Sequence, residues 1–394
     1  MATGHWPAIL VIYAIGLLAS AQLGKFAALV PVIQPDLGLG LTAAAALVSL
    51  IETGGAAIGL VAGTIVGRHG TRTVLGVGLG LLAVAGIGEA LAGTVPVLFA
   101  WRLVESLGYL AIVVAAPTLM ALTATSGQRG MAMALWSTFF PVGFALGSVL
   151  AGLVAPALSW RPVLFASAVL AAAALAVVWF LPRPAGDGRR GAPQTAGMPP
   201  LPVWRLSVGF GCYTVFAVGQ LALLPSYFAD KLGLATGTAG LLTGLASFAT
   251  VFGGLAAGRV LRHRRALPAI LGLCMILPAL MLVGLFGLAT GSVAAAALAI
   301  ALNVVTGVVP AVTFARLPDL APTSGAMARG NGLLAQFGAA GSLIGPPAYA
   351  AAIGLAGWQG AAITGAAMSA LSLILLLGAF RPAQAGRMTA GSSA

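Results

Sequence analysis

Two charged residues, Arg102 and Glu105, stand three apart in WRLVESLGY (101–109), inside an apolar run that continues from TVPVLFA into LAIVVAAPTLMALTA. On a helix that spacing places them on one face, with Tyr109 joining at i+7. A planar guanidinium suits bidentate recognition of an anion, and a carboxylate one turn away can occupy it or, once protonated, release it. Two further charges interrupt apolar runs in the same way: Lys25, with Gln22 three residues before it on the same face, and Glu52. A charge near the centre of a bilayer costs about 2.5 to 3.5 kcal/mol on insertion scales and is a functional candidate by default. Two cations and two carboxylates sum to zero, the least costly way to keep charge in a low-dielectric site. The chemistry expected is anion binding by Lys25 and Arg102, switched by a proton on Glu105, with Glu52 in reserve. The competing readings are structural: a static Arg102–Glu105 pair that fixes its helix, and Glu52 as a partner for Lys25. Glu89, near the end of its own apolar run, is expected at the membrane interface.

Positioning these groups falls to helices. Of 394 residues, 60% are hydrophobic and 7% charged, with mean hydropathy +1.06, whereas soluble domains carry about 25% charged residues. Apolar runs of about 20 residues recur between short breaks, and they are too long and uniform for barrel strands. The fold class is therefore an all-α polytopic membrane protein with twelve transmembrane helices, expected at 8–32, 42–66, 73–93, 96–122, 130–154, 161–181, 205–229, 237–260, 266–288, 292–315, 329–352 and 358–380. The Pro- and Gly-rich stretch PRPAGDGRRGAPQTAGMPPLPVW reads as a linker. It divides the chain into a six-helix half (1–181), a cytoplasmic linker (182–204), a second half (205–380) and a tail (381–394). Ala19-Ser20-Ala21 imitates a signal-peptidase site. No Lys or Arg precedes it, however, and the apolar run continues past Lys25 to Val32, as in a first spanning helix.

Cations set the orientation, because Lys and Arg in short loops stay on the cytoplasmic side. With the N-terminus inside, 15 of the 19 Lys plus Arg fall in cytoplasmic segments, two (Arg161 and Lys231) outside, and two (Lys25 and Arg102) within spans. Both termini are expected in the cytoplasm and the chain in the inner (plasma) membrane. The net charge of +12 is thus a topological signal. Its scatter over several loops gives no basic face for nucleic acid.

The halves repeat each other. LGLGLTAAAALVSLIETGGAAIGLVAG from Leu37 is echoed 195 residues later from Leu232, and SGQRGMAMALWSTFFPVGFALG from Ser126 is echoed from Ser324. Glycines at spacing four recur on equivalent helices: Gly55, Gly59, Gly63 and Gly67; Gly254 and Gly258; Gly143 and Gly147; Gly341 and Gly345. Each ladder makes one smooth helix face on which another backbone can approach closely. The expectation is that these faces let the halves rock, with ordinary tight packing as the plainer reading.

Together these features resemble the major facilitator superfamily over nearly the whole chain. Its loop signature between helices 2 and 3, G-x-x-x-D-R-x-G-R-R in idealised form, is matched by GTIVGRHGTR through Gly63, Arg68, Gly70 and Arg72, with Gly67 where the Asp belongs. In the family that Asp helps to latch the halves on the cytoplasmic side, so the resemblance implies that this chain lacks that latch. The second copy keeps Gly254 and Arg259 and again has glycine, Gly258, at the acidic position. WRLVESLGY resembles the helix 4 motif R-x-x-x-G-x-G through Arg102 and Gly108, with Ser106 replacing the first glycine. A finer likeness, in RLVESLGY, VVAAPTL and LWSTFFPVG, is to the cyanate and nitroimidazole permease-like branch.

The resemblance implies a cavity between helices 1, 4, 7 and 10, and helical period puts one polar stripe on each of them. Beyond Gln22/Lys25 and Arg102/Glu105/Tyr109, these are Tyr213, Gln220 and Tyr227 on helix 7, and Asn303, Thr306, Pro310 and Thr313 on helix 10. Substrate-binding candidates are accordingly Gln22, Lys25, Arg102, Tyr109, Tyr213, Gln220, Tyr227, Asn303 and Thr306. An enzyme would need a nucleophile, base or metal cluster inside the membrane, and no such set is legible. No metal or cofactor is expected, and without a G-x-x-x-x-G-K loop the energy must come from a gradient. The function expected is a secondary active transporter, monomeric, that moves a small anion with protons by alternating access. The rival is proton-driven efflux of hydrophobic or cationic drugs, whose helix 5 motif G-P-x-x-G-G is not matched by PVGFALG.

Overall fold

The computed structural model describes residues 5–181, 199–262, 266–288, 291–321 and 324–380. Most of the expected linker (182–198) and the whole tail (381–394) lie outside the described residues, and with them Arg183, Arg189, Arg190, His263, Arg264, Arg265, Arg381 and Arg387.

Among the described residues the chain is helical and has no strand. The first six spans are α1 (Trp6–Leu37), α2 (Leu41–His69), α3 (Thr71–Leu91), α4 (Val95–Thr123), α5 in two pieces (Ser126–Trp136 and Phe139–Leu158) and α6 (Trp160–Val178). The second six begin with α7 (Leu201–Lys231), α8 (Thr236–Val260), α9 (Leu267–Gly287) and α10 (Ser292–Leu320). The remaining helix, Ser324–Phe380, leaves helical geometry at Ala356 and at Gly357, whose φ of 62° is one that glycine adopts without strain. Residues on both sides of that break meet α7 at the same level. Gly341 packs on Gly211, and the Ser372 hydroxyl donates to the Gly209 carbonyl at 2.8 Å. The chain therefore folds back there, giving α11 (324–355) and α12 (358–380) and twelve helices in two sets of six.

The boundaries differ from expectation most at α1, which runs on to Leu37 through Pro31 and Pro35 and stops where Gly38 turns left-handed. Proline removes one backbone donor, and in a packed helix the carbonyl it frees can be satisfied by neighbours, so the period continues. With an even number of crossings, Trp6 and Phe380 share one face of the molecule, the terminal face. Gly38, Leu91 and Ser159 sit at the opposite, loop face.

Apolar side chains cover the outside. Phe165, Leu170, Leu255 and Leu355 are each more than half exposed, which fits a bilayer as the surrounding solvent.

Candidate functional site

The buried charged residues of the first six helices, Lys25, Glu52, Glu89, Arg102 and Glu105, come together in one cluster. α1 supplies Lys25, whose ammonium donates to the side chain of Gln22, to Ser167 Oγ on α6 at 2.9 Å and to Glu105 Oε1 at 3.4 Å. α4 supplies Arg102, whose Nη1 pairs with Glu105 Oε2. Its other donors reach backbone: Nε to the Leu47 carbonyl at 3.0 Å, and Nη2 to those of Val48 at 3.0 Å and Gln22 at 3.2 Å. Leu47 and Val48 precede a single 3₁₀ turn, Leu50–Glu52, that interrupts α2. Where the bonding pattern changes from i−4 to i−3, carbonyls are left with open acceptor sites, and Arg102 fills them. The ring of Phe26 lies 4.1 Å from the guanidinium and 5.3 Å from the ammonium.

A third carboxylate corrects the expectation for Glu89. Instead of sitting at the interface it is 0% exposed, with Oε2 3.7 Å from Lys25 Nζ and Oε1 4.0 Å from Arg102 Nη1. Close helix crossing brings it in. Gly78 of α3 and Gly108 of α4 meet so tightly that a Cβ on Gly108 would stand 2.7 Å from the Gly78 carbonyl. The ring of Trp101 covers Gly88, leaving the neighbouring Glu89 to turn inward. The signal that could have found it is compositional: the chain has only three glutamates, Glu52, Glu89 and Glu105, and all three belong to this site. Glu52 is buried too, but it faces the Tyr109 hydroxyl and Arg102 and makes no ion pair with Lys25. The buried charges are therefore two cations against three carboxylates, and not the balanced set of four.

In the second six helices the polar stripes are stitched together without charge. Gln220 Nε2 donates to Asn303 Oδ1 at 3.1 Å, and Tyr213 donates to the Thr306 carbonyl at 3.0 Å. Asn303 and Thr306 bond back along α10 to Ala299 and Asn303. Tyr227 stands apart from the other candidates: its hydroxyl donates to Leu285 of α9 at 2.6 Å within an aromatic group that includes Phe286 and Trp358.

The glycine ladders part company as well. Gly143 and Gly147 pack on Leu17, Ser20 and Ala21 of α1, and Gly341 and Gly345 pack on Gly211, Thr214 and Val215 of α7, each within its own set of six. Gly254 faces Gly307 of α10. Gly55 and Gly59 meet α11 at Ala339 and Gln336, where Gln336 accepts from the Leu60 amide at 3.2 Å and donates to the Ala56 carbonyl at 2.9 Å. A second crossing between the sets joins α5 to α8. There Gly152 lies against Gly240, Ser148 donates to the Gly240 carbonyl at 3.2 Å and Ser247 to that of Pro141 at 2.9 Å. Gly240 and Gly244 also stand four apart, so this contact had a readable signal.

Nearer the terminal face the sets separate. A Cβ on Gly63 or Gly258 would have nothing within 4 Å, and Gly67 and Arg68 remain partly or fully exposed. A cavity of about 360 Å³ lies between the ends of α4 and α5, lined by Pro117, Thr118, Ala121, Leu122, Arg129 and Met133. Arg72 is engaged within its own half, donating to the Leu181 carbonyl at 2.9 Å and to that of Trp179 at the end of α6.

The fold has solved relatives. A bacterial homolog of the human lysosomal transporter Spinster, in an inward-facing and unoccupied conformation, superposes with a TM-score of 0.74 at 13% identity, covering 96% of this chain and 97% of that one. The same homolog in an inward-facing and occupied conformation matches with the same score and identity over 96% of each chain. No curated protein matches the sequence. The family model of the Major Facilitator Superfamily matches residues 12–327. With twelve helices in two sets of six and a family match over most of its length, the chain belongs to the major facilitator superfamily, a family of membrane transporters rather than enzymes.

Proposed function

We propose that this transporter couples proton movement to the passage of a small anion, and that coupling occurs at the cluster of Lys25, Arg102, Glu89 and Glu105. One observation carries the reading: both cations lie between the same two carboxylates, Lys25 at 3.4 and 3.7 Å, and Arg102 paired with Glu105 and 4.0 Å from Glu89. With both carboxylates ionised, the four groups are neutral. Each proton added uncovers one positive charge, and an anion arriving from the cavity can take the vacated place. Lys25 supplies the adaptable point charge, while Arg102, tied to three carbonyls, supplies the fixed one. Gln22, Tyr109 and the neutral set of Tyr213, Gln220, Asn303 and Thr306 then complete the solute path, with Tyr227 at its edge. Glu52, facing Tyr109, is the reserve proton site.

The remaining assignments belong to the same reading. Both termini and the linker are cytoplasmic, the protein works as a monomer in the inner membrane, and the separation at the terminal face is an inward-facing state. Gly63, Gly67 and Gly258, with Arg68 and Arg72, line the surfaces that must close in the alternate state, while Gly59, against Gln336 of α11, marks the contact on which the halves turn and Gly254 packs on Gly307 of its own half. Gly143, Gly147, Gly341 and Gly345 keep each half rigid as it rocks.

Proteoliposomes test the coupling. Glu105→Gln, which imitates the protonated carboxyl, is expected to preserve exchange of a labelled small anion yet lose accumulation driven by a proton gradient. Normal accumulation by Glu105→Gln would remove Glu105 from the coupling step. A panel of small carboxylates and pseudohalides competing with one labelled anion identifies the solute. The alternative, efflux of hydrophobic or cationic drugs, is favoured by the third carboxylate, which leaves the resting site with no surplus of positive charge. Competition by lipophilic cations and not by anions would select it.

A further inference from the structure

Glu89 lacks the partners an ionised carboxylate needs. Its two oxygens are buried and receive no N–H or O–H from any described residue, and its contacts with Lys25 and Arg102, at 3.7 and 4.0 Å, are too long for hydrogen bonds. Glu105, by contrast, accepts from both cations. Glu52 has the Tyr109 hydroxyl. The charged groups on the helices around Glu89 are Lys25 on α1, with Asp36 at its far end accepting from Trp160 at 2.7 Å, Arg102 and Glu105 on α4, Arg72 at the other end of Glu89's own helix, and on α6 Arg161, which donates to the carbonyls of Ala90 and Ala92 at 2.9 and 2.8 Å and makes no ion pair with Glu89. With Glu52 behind Arg102, three buried carboxylates face two buried cations. Ionised together they leave one unbalanced negative charge in a low-dielectric interior, which a single bound proton removes.

We infer that this proton resides on Glu89, which donates it in a hydrogen bond to the facing carboxylate of Glu105, so that the two carboxyls of α3 and α4 hold one proton between them. As an acid, Glu89 gains the donor that turns a repulsive contact into a bond, and it leaves Glu105 ionised for Arg102. Moving the proton across breaks the O–H bond on Glu89 and forms one on Glu105, with no change in total charge. The negative charge thereby leaves its direct pair with Arg102 for a position 4.0 Å away, while its distance from Lys25 changes little, from 3.4 to 3.7 Å. This deepens the coupling reading given above, and rests on it only for the use to which the proton is put.

Infrared spectroscopy of the purified full chain in lipid nanodiscs reads the proton directly, without any solute. All three glutamates lie in this site, so glutamate carrying ¹³C in its side-chain carboxyl labels no other carboxyl side chain. The parent at neutral pH is expected to show a carboxylic-acid C=O band that shifts with the label. Glu89→Asp keeps the charge count but replaces the labelled acid, so its band should return to the unlabelled position. A parent with no acid band, or a Glu89→Asp band that still shifts with the label, overturns the proposal. Should Glu89→Asp fail to fold, Glu52→Asp and Glu105→Asp carry the test: each must leave the band label-sensitive, and loss of that shift in either sinks it. Transport by Glu105→Gln speaks to coupling alone. If that variant accumulates solute normally while the band follows residue 89, the coupling reading falls and the resting proton stands.

Discussion

Two pairs at matching places in the repeat carry different chemistry. Moved by the 195-residue offset that relates the α2 and α8 segments, Lys25 falls on Gln220, and moved by the 198-residue offset of the α5 and α11 segments, Glu105 falls on Asn303. Lys25 and Glu105 meet at 3.4 Å across α1 and α4, and Gln220 and Asn303 meet at 3.1 Å across α7 and α10. The fold thus builds the same side-chain bridge twice, ionic in one half and amide in the other. The geometry of the bridge comes from the repeat, whereas the capacity to exchange protons comes from the residue types. An amide pair holds two helices together over the whole physiological pH range, because neither partner titrates there.

The largest difference expected between the halves is in stability. Arg102→Met strips buried Glu105 of its direct pair, leaving it only Lys25 at 3.4 Å, and takes the donor from three carbonyls, and should cost about 3–5 kcal/mol. Gln220→Met leaves only neutral Asn303 without its donor, about 1–3 kcal/mol. Thermal melting in detergent compares them, and equal losses would mean that charge adds nothing to the first bridge. A transplant is the next test. Gln220→Lys alone should lower the yield of inserted protein, by the equivalent of about 2.5–3.5 kcal/mol for an unpaired charge. Adding Asn303→Glu should recover most of it, and no recovery would show that the two bridges are not geometrically equivalent.

Much of this comparison could be read from the sequence. Long apolar runs fixed the number of helices, and the i, i+3 pair at Arg102 and Glu105 fixed a shared face, because both are properties of a single helix. Glu89 was not readable, since its environment is made by the Gly78–Gly108 crossing of two helices and by Trp101 on the second of them. The glycine ladders show the same limit. Spacing four marks a smooth face at Gly143 and Gly147, but the identity of its neighbour, α1 of the same half, depends on packing. The end of α1 was not readable either, because the apolar run stops at Val32 while the helix continues through Gln34 and Asp36 to Leu37.

Smaller effects separate the moving surfaces from the fixed ones. Gly240→Leu places bulk against Ser148 and Gly152 and should destabilise by about 1–3 kcal/mol. Gly258→Leu, with open space around it, should melt like the parent and yet slow transport, because its side chain obstructs closure of the terminal face. Parental flux from Gly258→Leu would show that this surface stays open throughout the cycle. Smallest of all, Tyr109→Phe and Tyr227→Phe each remove one buried hydroxyl, about 0.5–1.5 kcal/mol in melting. Only Tyr109→Phe, which faces Glu52, is expected to move the pH dependence of flux; a shift of similar size from Tyr227→Phe would detach that dependence from the ionic half.

Gly67 stands where relatives place an acid, and neighbouring Arg72 caps the carbonyls of Trp179 and Leu181 in its own half. An ion pair at that corner would contribute only while the terminal face is shut, and an exposed pair is worth up to about 1 kcal/mol. Without it, the waiting population shifts toward the splayed form by a factor of up to about five. A missing pair of that kind biases the carrier toward an open terminal face and makes the stroke that seals it correspondingly more costly.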